Sequence, residues 1–267
     1  MGEVPQNIVE QKGLAQRLLK METHDTYDGL KTAIERSKKG LGTAVFCSHN
    51  TKNDMLAAVM MLKSVPEFAD KKFVLPMNSM LYKAYWPGEK LMNVTLIPVH
   101  SPEVRRKHAL AKENPKSREL TLADRITVPK EDHLDVEGSL QTYLKAAKEA
   151  LEKGGIVVVA PQAQGNLDKI DLTHQRKAFS KFRNYMAKYP GLTYSVLPIG
   201  VSFPERAKKG QSQKGANFGE KMRIDIGACY DQEKVTQGVS LAGGNADLWM
   251  YGQIASLLPK EAVKRPA

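Results

Sequence analysis

Thr43-Ala44-Val45-Phe46-Cys47-Ser48-His49-Asn50-Thr51-Lys52-Asn53-Asp54 carries an apolar run into a polar junction and then into a helical pattern. An apolar run of this length bounded by a helix start reads as a buried strand. Its last residues then fall at the carboxyl edge of a sheet, where open α/β folds place their ligands. Asn53 or Asp54 suits the helix start, because a short polar side chain can hold the first free backbone N–H groups. The same junction sets His49 and Asp54 five positions apart. An imidazole titrates near neutrality, and a carboxylate on its other nitrogen would fix its tautomer, which suits deprotonation of a hydroxyl.

Outward from this stretch the pattern alternates. Upstream, Ile8, Val9, Leu14, Leu18 and Met21, then Leu30 and Ile34, predict two short helices, so residues 1–40 are expected to form an N-terminal helical segment and 41–267 an α/β domain. Downstream, a helix is expected over 53–63, strands over 72–76 and 94–99, a helix over 136–153 and a strand at Ile156-Val157-Val158-Val159-Ala160. That last run is apolar on both faces, as in a buried parallel strand. A basic helix near 173–188, strands over 195–201 and 222–228 and a closing helix over 246–258 complete the order. The segment 105–135, polar and broken by Pro115 and Pro129, reads as an insertion or lid. Strands separated by helices predict a mostly parallel or mixed sheet covered on both faces.

Composition narrows the class. The 267 residues are 42% hydrophobic and 26% charged, with a formal net charge of +11, which fits a globular chain with an acidic partner: lipid headgroups, an acidic carrier protein, a phosphorylated metabolite or nucleic acid. The charge clusters in 169–188 and 205–223, but no helix-turn-helix, zinc-finger spacing or RNA-binding motif accompanies it, so nucleic acid is not expected. No apolar run approaches the roughly 18 residues of a membrane span, and no secretion signal is visible, so the expected location is the cytoplasm. Cys47 and Cys229 are too few for a disulfide framework and lack metal-ligand spacing. Cys47 reads as a small core residue rather than a nucleophile. No dinucleotide fingerprint or phosphate-binding loop is present, and Gly210-Gln211-Ser212-Gln213-Lys214 misses the nucleophile elbow at its last position.

The order of blocks resembles the glycerophospholipid acyltransferase family, which includes 1-acylglycerol-3-phosphate and glycerol-3-phosphate O-acyltransferases. A strand precedes His-x-x-x-x-Asp; later come Ile97-Pro98-Val99, Pro161-Gln162-Ala163-Gln164-Gly165, Val196-Leu197-Pro198-Ile199-Gly200 and Arg223-Ile224-Asp225-Ile226-Gly227. The resemblance spans about 42–259 and has departures. Ser48 stands where an Asn is common, His100 where an Arg is expected, and Pro161-Gln162-Ala163-Gln164-Gly165 replaces Pro-Glu-Gly-Thr-Arg.

The resemblance implies direct transfer of a fatty acyl group from an acyl-coenzyme A or acyl-carrier-protein thioester to a hydroxyl of a glycerol-phosphate-type acceptor, without metal or bound cofactor. His49 would be the general base and Asp54 its orienting partner. Lys52, Pro161, Gln162, Gln164, Gly165, Arg176 and Lys177 would contact substrate, with Arg176, Lys177 or Lys169 supplying the cation that the altered block lacks. Peripheral binding to an anionic membrane, through the basic stretch 205–223, is expected. The alternative is a non-catalytic lipid-binding or membrane-associated relative.

Overall fold

The computed structural model describes residues 20–49, 54–80, 82, 93–129, 133–161, 169–173, 175–213 and 219–265. In chain order the elements are β1 (Met21–Asp25), α1 (Gly29–Lys38), β2 (Gly42–Cys47), α2 (Asp54–Lys63), α3 (Pro66–Ala69), β3 (Phe73–Asn78), β4 (Val94–Val99), α4 (Pro102–Glu113), α5 (Leu122–Thr127), α6 (Val136–Glu152) and β5 (Ile156–Val159). There follow β6 (Ile170–Asp171), α7 (Ala178–Met186), β7 (Tyr194–Ser202), α8 (Pro204–Lys208), β8 (Met222–Ile226), α9 (Gln232–Leu241), α10 (Ala246–Ala255) and β9 (Val263–Lys264). The chain is α/β, as the alternation predicts, and divides into two compact units, 1–71 with 151–267, and 72–150.

In the first unit five strands run in the order β1-β8-β7-β2-β5. β2 pairs in parallel with β5 and with β7, and β1 in parallel with β8, while β7 and β8 are antiparallel. The sheet is therefore mixed. All six residues of β2 and all nine of β7 are buried, which requires cover on both faces. Alternation along β2 shows the cover. Phe46 meets the rings of Phe179 and Phe182 edge-on, with centroids 4.8 and 5.5 Å away, so α7 lies on its face. Cys47, the next residue, points the other way, and its Sγ lies 3.7 Å from the Asp54 carbonyl oxygen at the start of α2.

Residues 21–25 correct the expectation of a purely helical N-terminal segment. They form a strand registered on β8, Met21 beside Met222 and Asp25 beside Ile226. Tertiary pairing overrides the weak local signal here, since one side of β1 carries Glu22 and His24 rather than apolar groups. Asp25 then starts α1: its carboxylate accepts from the Gly29, Leu30 and Lys31 N–H groups at 2.7, 3.0 and 3.4 Å. The expected first helix, from Ile8 to Leu18, lies outside the described residues.

The second unit contains the parallel pair β3–β4, in register from Phe73 beside Val94 to Asn78 beside Val99. The segment read as an insertion or lid carries two helices, α4 and α5. Ser101 caps α4 by accepting from the Val104 N–H at 3.3 Å, and Thr121 and Asp124 form a reciprocal capping box that starts α5. Such boxes satisfy backbone donors that a short helix cannot pair internally. Among the described residues, no helix is long and apolar enough to cross a membrane.

Candidate active site

Ser48 ends the strand that leads to His49. β2 stops at Cys47, opposite Ile199, while β7 continues to Ser202. The backbone of Val201 therefore extends past its neighbour, and Ser48 supplies the missing rung. Its N–H donates to the Ile199 carbonyl at 2.9 Å. Its Oγ, fully buried, accepts from the Val201 N–H at 2.7 Å and donates to the Val201 carbonyl at 3.3 Å. His49 follows at once, half-buried, with its Nδ1 shut off from solvent.

Asp54 is the first residue of α2 and is fully buried. A carboxylate in the first helical turn faces the positive end of the helix dipole. Strand end and helix start touch through Cys47, whose Sγ also lies 3.2 Å from the Ser48 carbonyl. Burial pushes the Cys47 thiol well above its ordinary range, and the nearby Asp54 charge pushes it further. A thiolate nucleophile is thereby disfavoured, as the sequence suggests. Lys52 lies outside the described residues.

Around the altered third block, Gln162, Gln164 and Gly165 also lie outside the described residues, but its flanks are informative. Pro161, buried, ends the run after β5, and Arg176, half-buried, precedes α7. One hydroxyl joins them: Tyr251 of α10 donates to the Pro161 carbonyl and accepts from the Arg176 N–H, each at 3.1 Å. Burial raises the Tyr251 phenol to about 12. On the same helix Asp247 accepts from the Phe179 and Ser180 N–H groups, at 2.9 and 3.1 Å, and so caps α7. Neither Tyr251 nor Asp247 is suggested by the sequence as a support of this region. Lys169 and Lys177 are exposed.

The basic stretch 205–223 is less free than its composition implies. Arg206 grips Glu220 through two nitrogens at 2.5 and 2.7 Å, and Arg223 holds Asp225 at 2.7 Å. Lys208 pairs with Glu205 and Lys221 with Glu22. A cavity of about 400 Å³ lies over β8 and is lined by Arg223, Asp225, Thr26, Tyr27, Leu257 and Leu258 among others. None of the expected site residues lines it.

In the second unit, Ser79 and His100 follow the carboxyl ends of β3 and β4, with the serine Oγ 2.9 Å from the imidazole Nδ1. Ser139 Oγ accepts from the His100 N–H at 3.1 Å. Asn78 Oδ1 already takes the Met80 N–H, the donor that follows Ser79, at 2.9 Å. That leaves this N–H unable to stabilise an oxyanion beside the serine. Among the described residues no group of three or more His, Cys, Asp and Glu side chains is placed to hold a metal ion.

No family model matches the chain. Nor does any curated protein match it.

Proposed function

We propose that the protein is an O-acyltransferase that moves a fatty acyl group from an acyl-coenzyme A or acyl-carrier-protein thioester to a hydroxyl of a glycerol-phosphate-type acceptor. One observation supports this most: a fully buried aspartate opens α2 at the point where β2 ends, five positions beyond a half-buried histidine. A buried carboxylate needs a charged or hydrogen-bonding partner to stay ionised, and a base that must act at neutral pH needs its tautomer fixed.

In the proposed reaction His49 takes the proton of the acceptor hydroxyl, and Asp54 orients the imidazole and steadies its cation. The alkoxide oxygen bonds to the thioester carbon, and the tetrahedral intermediate collapses as the carbon–sulfur bond breaks. The departing thiolate takes the proton back from His49. No covalent enzyme intermediate is needed. The first N–H groups of α2, which have no carbonyl partner within the helix, are the donors available to the oxyanion. Arg176 or Lys177 would hold the acceptor's phosphate, and the protein would act in the cytoplasm at a membrane surface.

The test is thioester-dependent acyl transfer by the purified chain over a panel of glycerol-based acceptors. His49→Ala should abolish turnover while leaving the fold intact. Asp54→Ala should lower it by about 10²-fold or more, less than the His49 change, because an unoriented imidazole remains a base. Wild-type turnover in folded His49→Ala protein would refute the mechanism, and a retained lipid without any turnover would mark a lipid-binding protein instead.

A further inference from the structure

The second unit carries an apolar projection on a basic surface. Leu122 and Ile126 of α5 are four residues apart, on one helix face, and are 73% and 71% exposed. Large apolar side chains left so far in water call for a partner when they share one face. Their exposure is not a loose end of the chain. The capping box of Thr121 and Asp124 starts the helix, and Lys107 of α4 donates to Asp124 at 2.7 Å in a pair little exposed to solvent. Arg106 of α4 pairs with Glu119 at 2.8 Å, Arg125 donates to the Ser117 carbonyl at 3.1 Å, and Leu120 is buried. These contacts fix α5 against α4 and leave Leu122 and Ile126 pointing away.

The charge around the projection is mainly basic. Residues 101–127 contain Arg105, Arg106, Lys107, Lys112, Lys116, Arg118 and Arg125 against Glu103, Glu113, Glu119 and Asp124. Glu119 and Asp124 are already held by Arg106 and Lys107, while Arg105, Lys116, Arg118 and Arg125 are exposed. Two aliphatic side chains fall far short of the roughly 800 Å² that each partner gives to a stable protein–protein interface. They do suit insertion into a bilayer surface, where a few apolar groups enter the acyl boundary and neighbouring cations meet anionic headgroups.

We propose that α5, with the basic residues flanking it, is a docking surface for anionic lipid bilayers, with Leu122 and Ile126 entering the acyl boundary and Arg105, Lys116 and Arg118 facing the headgroups. This moves the membrane-facing role from 205–223, where Arg206 and Arg223 are bound to carboxylates of their own chain, to 105–126. It does not depend on the acyl-transfer reading.

The test is flotation of the full chain with vesicles of phosphatidylcholine alone or containing about one-third phosphatidylglycerol, at low and high salt and without any acyl donor. The wild-type chain should float with the anionic vesicles and lose binding as salt rises. Leu122→Ser with Ile126→Ser should lower the partition coefficient by about tenfold or more, with circular dichroism and thermal midpoint unchanged because both side chains are exposed. Lys116→Gln and Arg118→Gln should each lower it by about fivefold, in low salt only. The proposal is overturned if the Leu122/Ile126 double variant floats like the wild type, or if the wild-type chain ignores anionic vesicles. It is also overturned if the chain ignores those vesicles yet binds a soluble acidic carrier protein through the same residues. A chain that floats as expected but transfers no acyl group would refute only the enzymatic reading.

Discussion

Ser48→Ala removes a single oxygen and should cost far more than its volume implies. The Ser48 Oγ makes two hydrogen bonds to one buried peptide, 2.7 Å from the Val201 N–H and 3.3 Å from its carbonyl. Each such bond contributes about 1 kcal/mol net, and a buried donor or acceptor left without a partner costs about 1–3 kcal/mol. The longer, weaker contact to the carbonyl adds less than the contact to the N–H, so the expected loss is about 2–3 kcal/mol. For a chain of this size that corresponds to a fall of roughly 5–10 °C in the thermal midpoint. Urea unfolding should show a lower midpoint with an unchanged m-value, since the surface exposed on unfolding is the same.

Ser202, on β7 like Val201, provides the control. It is fully buried, but its Oγ has no hydrogen-bond partner among the described residues. Ser202→Ala should therefore be neutral or stabilising, because it removes a polar atom that gains nothing from burial. If Ser48→Ala costs no more than Ser202→Ala, the serine does not supply the missing rung and the account of how His49 is positioned fails. If the loss matches and the proposed acyl transfer is observed, the variant should also lower that activity, because the backbone carrying His49 is then less constrained.

Tyr251→Phe keeps the ring packing but frees the Pro161 carbonyl and the Arg176 N–H, and calorimetry should find it less stable by about 1–2 kcal/mol. Asp171 is held near a pKa of about 2 by Thr173, with Lys264 adding to the effect. Its folded pKa lies below the unfolded value, so its contribution is complete above about pH 4 and disappears as pH falls from about 4 to 2. Thr173 and Lys264 are exposed and solvent screens the pair, so the difference is nearer 1 kcal/mol than the full shift implies. Denaturant titrations of the wild type and Asp171→Asn should converge at pH 2. Arg176→Ala should raise the acceptor KM more than it lowers kcat if the guanidinium grips a phosphate remote from the reacting hydroxyl; an unchanged KM would point to an acceptor without phosphate.

Strands buried on both faces were the easiest elements to read. β2, β5 and β7 are continuous apolar runs, and the step from β2 to α2 is visible in the change from β-type to helical spacing around His49 and Asp54. β1 was not legible because Met21 is its only aliphatic residue; what makes Met21–Asp25 a strand is pairing with β8, 201 positions away in sequence. α9 could have been found: Asp231 caps it by accepting from the Lys234 N–H, Val235 and Val239 form its buried face, and two glycines follow its end. α4 and α5 also carry readable starts, Ser101-Pro102 and Thr121 with Asp124, within the polar segment read as an insertion or lid. At the candidate site, the histidine and aspartate are singled out because they are close in sequence. Their supports are not: the Ser48–Val201 clip joins residues 153 positions apart, and the Tyr251–Pro161 bond spans 90.

The hydroxyl of Tyr251 has an evolutionary consequence. Because it touches both the Pro161 carbonyl and the Arg176 N–H at 3.1 Å, those two backbone atoms stand no more than about 6 Å apart, whatever residues come between. The ends of the intervening segment are joined through α10, and its second half is held separately by the pairing of β6 with β9. Lengthening a loop whose ends are already closed costs little, about 0.6 kcal/mol for each doubling. Mutation can therefore rewrite or extend residues 162–168 with little cost to the sheet, whereas Ile170, fully buried, and Asp171, paired with Lys264 at 3.0 Å, are bound into the fold. Residues 162–168 are thus flanked by a hinge-pin at Tyr251, and a library randomised there should yield folded proteins at a far higher rate than one randomised at Tyr251.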